Sequence, residues 1–575
     1  MNLSAWLRAA KLKWAFIRSD DRLIVIVLAG FVGVCSGLAA VALNRALHHL
    51  ATSLHDMHNY WWGFILPAIG ASLSALFLNH ILKERTGHGV PEVVYAVSRH
   101  GGLLRLRSSY SRLISSCLTI GSGGSAGPEA PVVISGAALG SNIAKVFSLN
   151  ERQRITLVGS GAAGAIAAIF NAPIAGLVFA VEVILGEWRA FNIIPIAIAA
   201  VTGTEVSRLL QGNQIPFQHH LFSITLVDIA ASFGIVVLTT SASLFMGRLL
   251  RTMHHLADAT PLPFWLRPAV GGAVVGLIGL FLPLVLGEGY LSIQNMIEGV
   301  FAPGLALVAV AVVAKIVATA LTLGWGGSGG IFAPSLMVGS LVGLVYYRLL
   351  ILVLPAEALA NEGCFALLGM AGLISGILQA PLTGIFLVVE ITSSYEVILP
   401  LMIVSALTST FCYYIEPGSF YLRELIERGQ YLRPGTDARV LSDLTVRELV
   451  ETDNLTVPGD MLLKDFIEAI KYSRHYLFPV VDRNTSRYLG MIFIDRIRPY
   501  LFDPQMHAVL ITEQVMETTV PNVSPDEEVS DVLNLMERSQ LSALPVVENG
   551  RFVGMLSKAT LLDHYRKELI VQTGV

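Results

Sequence analysis

Two stretches decide the architecture of this chain: GSGGSAGPEAPVVISGAALG (121–140) and GWGGSGGIFAPSLMVGSLVG (324–343). Laid over one another at an offset of 203, they share Gly121/Gly324, Gly123/Gly326, Gly124/Gly327, Ser125/Ser328, Gly127/Gly330, Pro131/Pro334, Gly136/Gly339 and Gly140/Gly343. A second pair follows at an offset of 208, GAAGAIAAIFNAPIAGLVFAVE (161–182) and GMAGLISGILQAPLTGIFLVVE (369–390). Here Gly161/Gly369, Gly164/Gly372, Pro173/Pro381, Gly176/Gly384 and Glu182/Glu390 align. Two ordered blocks at nearly equal offset mark an internal duplication. The copies differ at one chemically conspicuous place: Glu129 stands where the second copy has Phe332.

Composition says where such a duplication lives. The chain has 575 residues, 54% hydrophobic and 14% charged, against about 25% charged in soluble proteins. Residues 156–181 and 364–389 carry no charge at all, and each window exceeds the roughly 20 residues a membrane helix needs. The expectation is an all-α polytopic membrane protein with a transmembrane domain over 22–428, its halves at 22–212 and 223–428. Arg8, Lys11, Lys13, Arg18 and Arg22 precede the first apolar run, 23–43. Positive charge there predicts a cytoplasmic N-terminus, with 1–21 a leader and not a cleaved signal peptide. The net charge of −3 decides nothing further. Cys35, Cys117, Cys364 and Cys412 stand singly in apolar segments, which predicts small buried hydrophobes and no disulfide or metal framework.

Repeated halves pack around a pseudo-two-fold axis, with substrate where they meet. Glycine followed by proline at a helix start leaves backbone N–H groups free, and those groups with the helix dipole favour anions. Irregular backbone at membrane depth survives only when buried in protein or lining a wet cavity. Beyond a linker at 429–441 the composition turns polar and reads as soluble α/β. This tail repeats at an offset of 66, with Asp460/Asp526, Asp465/Asp531 and Pro479/Pro545 aligned. Each copy predicts an amphipathic helix (465–473; 529–538), a strand FPVV or LPVV, a turn, and a second strand YLGMIF or FVGMLS.

Four loops now stand out: GHGVPE (87–92), GPEAP (127–131), GGIFAP (329–334) and EPGSFY (416–421). Amides and a tyrosine hydroxyl can replace the water around a large anion without a full positive charge, and conduction needs binding weak enough to release. These loops resemble the four anion-pathway signatures of the CLC chloride channels and chloride/proton antiporters. The tail resembles the pair of CBS domains that many CLC proteins carry. The likeness spans 22–565 and implies a CLC-like inverted-repeat fold with broken helices, followed by a cytoplasmic α/β CBS pair at 442–504 and 510–568.

The resemblance also implies roles. Glu129 matches the gating glutamate. His88, Gly89, Gly127, Gly330, Ile331, Phe332 and Tyr421 match anion-binding positions. A carboxylate at an anion site competes with chloride: ionised it blocks, and protonated it can swing away. Burial favours the neutral form of a carboxyl group. Glu129 as a plain helix N-cap is the bland alternative, worth roughly 0.5–2 kcal/mol. Four departures qualify the carry-over: Pro128 and Ala130 replace the usual Arg and Gly, His88 replaces the usual Ser, and Val183 stands where antiporters carry a second glutamate. A protonated His88 would bind anions harder and add pH sensitivity near roughly 6.5. Glu182 and Glu187 are the candidates for a proton path, although Glu182, with its repeat partner Glu390, also reads as structural. The expectation is chloride transport by a channel or weakly proton-coupled pathway; the alternative is a chloride/proton antiporter.

Resemblance further implies a homodimer in the plasma (inner) membrane, in contact with lipid and not with nucleic acid. No HExxH, paired catalytic carboxylates or Ser/His/Asp set points to an enzyme, and no cofactor is called for. In the tail, the ribose-binding positions of a CBS pair hold Phe493 and Arg496 in one copy, Ser557 and Thr560 in the other. The usual aspartates are missing, so the expectation is a structural module rather than a site for adenine nucleotides.

Overall fold

The computed structural model describes residues 21–573 apart from 59, 85–88, 214–216, 218–221, 428–440, 442–443, 474 and 504. The leader expected over 1–21 lies almost wholly outside the described residues. The chain divides into two compact units, 1–431 and 432–575.

The first unit is helical. Among the described residues, eight helical stretches are long and apolar enough to cross a membrane, and four shorter apolar helices accompany them. The charge-free windows are broken as the repeat predicts. The first runs through helices Glu151–Phe170 and Pro173–Phe179, the second through Glu362–Leu378 and Pro381–Thr392. Each first helix ends on a left-handed residue, Asn171 (φ 55°) or Gln379 (φ 50°), which halts the helical path. Two residues later a proline, needing no N–H partner, opens the next helix. The helix starts match as well: Asn150 accepts from Gln153 N at 2.9 Å and Asn361 from Cys364 N at 3.1 Å, the usual side-chain answer to orphan N–H groups.

The glycines at matched positions explain how the helices cross. Helix Glu129–Val146 packs on Glu151–Phe170, and Phe332–Leu350 packs on Glu362–Leu378. A Cβ on Gly136 would lie 2.2 Å from Gly161 O, and one on Gly339 would lie 2.5 Å from Gly369 O. Backbone touches backbone at both crossings, so any side chain would push the pair apart. Cys364 and Cys412 are buried, and all four cysteines are free thiols. No group of three or more metal-type ligands occurs among the described residues.

The second unit is α/β. Strands Val457–Pro458, Leu477–Val481 and Tyr488–Phe493 form one sheet, the first pair parallel and the second antiparallel. Ala543–Glu548 and Arg551–Ser557 form an antiparallel pair with the same register irregularity one residue before its end. The first amphipathic helix spans Leu463–Ile470, two residues earlier at its start and three at its end than the expected 465–473; the second spans Val529–Arg538, as expected.

Candidate functional site

The two elbows of the duplication meet each other. Gly127 N donates to Gly330 O at 2.8 Å and Gly330 N donates to Gly127 O at 2.7 Å, a two-residue antiparallel bridge. Around it the hydrogen bonds repeat by pseudo-symmetry: Ser125 N donates to Thr322 Oγ1 at 3.1 Å and Ser328 N to Thr119 Oγ1 at 3.2 Å. The amides of Gly127 and Gly330, both expected at the anion site, here each donate to the carbonyl of the other. They lock the elbows together and set the starts of two helices side by side.

Those starts are Glu129–Val146 and Phe332–Leu350. Ile331 is the N-cap of the second and has no side-chain cap, so the amides of its first turn, Ile331 and Phe332 included, depend on something other than their own helix. Phe332 is buried, its ring 5.5 Å from that of Phe170 and 6.2 Å from that of Phe179. Gly89 (φ 84°) caps helix Val90–Arg99, and a Cβ there would meet Ala130 O at 2.9 Å. The first elbow therefore presses against the helix that Glu129 begins. His88 lies outside the described residues.

Glu129 is 1% exposed. A Cβ on Gly127 would run into its carboxylate, so the glycine makes room for the acid. Tyr290 Oη donates to Glu129 Oε1. The backbone amides of Ala333 and Glu129 itself face the carboxylate, but Oε2 makes no well-formed hydrogen bond. A buried oxygen left this way is costly. Tyr421, fully buried in helix Phe420–Glu427, lies within the electrostatic field of Glu129. Three of the four loops thus converge, on described residues, around one carboxylate.

The proton-path candidates stand elsewhere. Glu182 accepts from Leu382 N (3.2 Å), Thr383 N (2.7 Å) and Thr383 Oγ1 (2.7 Å). Glu390 accepts from Ile174 N (3.0 Å) and Ala175 N (2.7 Å). Each acid of the repeated pair caps the proline-started helix of the other half. Glu187 is ion-paired with Arg189 at 3.0 Å.

Sequence reasoning missed Tyr290, which donates to Glu129, and Glu288 and Lys315 in and behind the loop that carries it. Two signals could have found them. Lys315 is the single charge in Leu305–Gly324, and Glu288 sits in a glycine turn, GEGY, of the same kind as the elbows.

In the tail, Ser557 and Thr560 both donate to Glu451 Oε1, the former at 2.7 Å. Arg496 is ion-paired with Glu517. Glu451 and Glu517 are themselves related by the tail's offset of 66. In each copy an acid thus engages a residue at a position that the resemblance assigns to ribose.

Known proteins resemble this chain in both of its units. Residues 70–413 match the family described as voltage gated chloride channel, and residues 446–503 and 512–567 match the CBS domain. The chain is 31% identical over 412 residues to the H(+)/Cl(-) exchange transporter ClcA of Klebsiella pneumoniae, covering 68% of this chain and 86% of that one. It is 30% identical over 416 residues to chloride channel protein CLC-f of Arabidopsis thaliana, covering 66% of this chain and 52% of that longer one. A slow cyanobacterial Cl-/H+ antiporter shares the fold at a TM-score of 0.64 and 22% identity, over 72% of this chain and 98% of that one.

Proposed function

The chain belongs to the voltage gated chloride channel (CLC) family, and on that premise we propose that it carries chloride across a membrane through a pathway gated by Glu129. The observation that carries this reading is the buried carboxylate with one unsatisfied oxygen, set where two helix N-termini meet. The amides of Ile331 and Phe332, the elbow at Gly89 and the hydroxyl of Tyr421 hold the anion. Ionised Glu129 competes with it for the same pair of helix N-termini, where the amides of Ala333 and of Glu129 itself face the carboxylate; protonated Glu129 leaves them to the anion. Chloride flux therefore rises as pH falls. Chloride is bound by a homodimer with one pathway per subunit, and both the N-terminus and the tail face the cytoplasm across the plasma (inner) membrane.

Proton coupling is weak or absent in this reading. Val183 offers no carboxylate where antiporters carry one, and Glu182 is engaged as a helix cap. Chloride/proton exchange is the second reading, supported by the exchange transporters among the relatives. Reconstitution into liposomes separates them. With a chloride gradient and no initial proton gradient, we expect chloride flux that builds no proton gradient; a proton gradient built by the chloride flux would install the exchanger instead. E129Q is expected to make chloride flux independent of pH, and persistence of the wild-type pH profile would sink the gate.

A further inference from the structure

We infer that Glu288, with Lys315 as its counter-ion, exchanges a proton with Glu129 and so sets the pH at which the gate opens. This deepens the proposed function and rests on the reading of Glu129 as the gate.

The loop that carries Glu288 is tied to the gate from both ends. Gly287 N donates to Gly123 O at 3.3 Å, in the elbow before Glu129. Gly289 (φ 88°) opens helix Tyr290–Ile297, and Tyr290 donates to the Glu129 carboxylate. Behind the loop, Lys315 has no exposed surface. Its Nζ donates to Val285 O at 2.9 Å and Gly287 O at 2.8 Å. Two neutral carbonyls do not compensate a buried ammonium, which needs an opposite charge. Glu288 is the acid that interacts electrostatically with Lys315. Glu288 and Glu129 repel one another, and Tyr290 lies in the field of both.

Among the described residues, Glu129 is bonded by Tyr290 and lies in the field of Glu288 and Tyr421, and Glu288 lies in the field of Glu129, Lys315 and Tyr290. The cluster holds two carboxyl groups and one ammonium. It is neutral when the two acids share one proton, the arrangement that close carboxylates adopt. With the proton on Glu129 the gate is neutral, and ionised Glu288 balances Lys315. With the proton on Glu288, Glu129 is the anion and takes the chloride place. The transfer breaks one O–H bond on the donor acid and makes one on the acceptor, with no change of oxidation state. Tyr290, two residues along the same loop from Glu288, donates to the Glu129 carboxylate and so ties that loop to the acid that receives the proton.

The test is chloride flux against pH for the full-length protein in liposomes, each variant scaled to its own acid plateau. E288Q removes a like charge beside Glu129, so ionisation becomes easier and the midpoint moves to lower pH, by about one unit. K315M removes the opposite charge and moves the midpoint to higher pH. E129Q is run alongside as a flat-profile control. A wild-type midpoint in E288Q with a flat E129Q profile overturns this inference and leaves the gate standing. A pH-dependent E129Q profile overturns the gate, and this inference with it. If E288Q does not assemble as a monodisperse species in detergent, the midpoint of K315M decides by the same criterion.

Discussion

At the scale of single residues, the site is one of unequal partners. Glu129 has a hydroxyl on one oxygen and no well-formed bond on the other. A hydrogen bond to a charged group contributes about 1.5–3 kcal/mol, so Tyr290 favours the ionised, blocking state. We expect Y290F to weaken that state and to raise chloride flux at neutral pH relative to its own acid plateau. Flux at or below the wild-type fraction would show that Tyr290 does not hold the gate. Glu129 itself was legible in the sequence, because an acid replacing Phe332 inside a repeat is conspicuous. Tyr290, Glu288 and Lys315 were not, because the contact joins residues 161 apart in the chain for the tyrosine alone and belongs to no repeated motif.

At the scale of elements, the reciprocal caps give Glu182 and Glu390 a common use. A carboxylate on a helix N-terminus contributes roughly 0.5–2 kcal/mol. E182Q and E390Q should therefore each lower the melting temperature in detergent, with similar magnitude, and leave the pH profile of chloride flux in place. A changed profile in E182Q alone would restore it to the proton path. The glycine crossings make a second prediction. G136V and G339V put three extra carbons where backbones touch, and overpacking costs about 1–3 kcal/mol or more. Both should reduce the yield of folded protein, measured by size-exclusion chromatography, to a comparable extent because the two crossings are copies. The sequence showed these glycines as matched pairs. It did not show that Gly127 and Gly330 bond each other, since identical positions in a repeat say nothing of whether the copies touch.

At the scale of the whole molecule, two units carry different chemistry. In the tail, the residues at the positions expected to bind ribose are engaged by its own acids: Ser557 and Thr560 by Glu451, Arg496 by Glu517. Titrating the full-length protein with ATP, ADP or AMP should give no saturable heat, and saturable binding would show that these contacts yield to a ligand. Composition and periodicity by themselves determined that the first unit belongs in a membrane, that it is built twice, and that Glu129 breaks the duplication. These follow from local rules: apolar length decides what can span a bilayer, and glycine, proline and capping residues decide where helices stop. Only the tertiary structure decided which elbow amides bond each other, which acids serve as caps, and which groups surround Glu129. The reason is that hydrogen bonds and charges between distant segments depend on distance in space, which a sequence does not record.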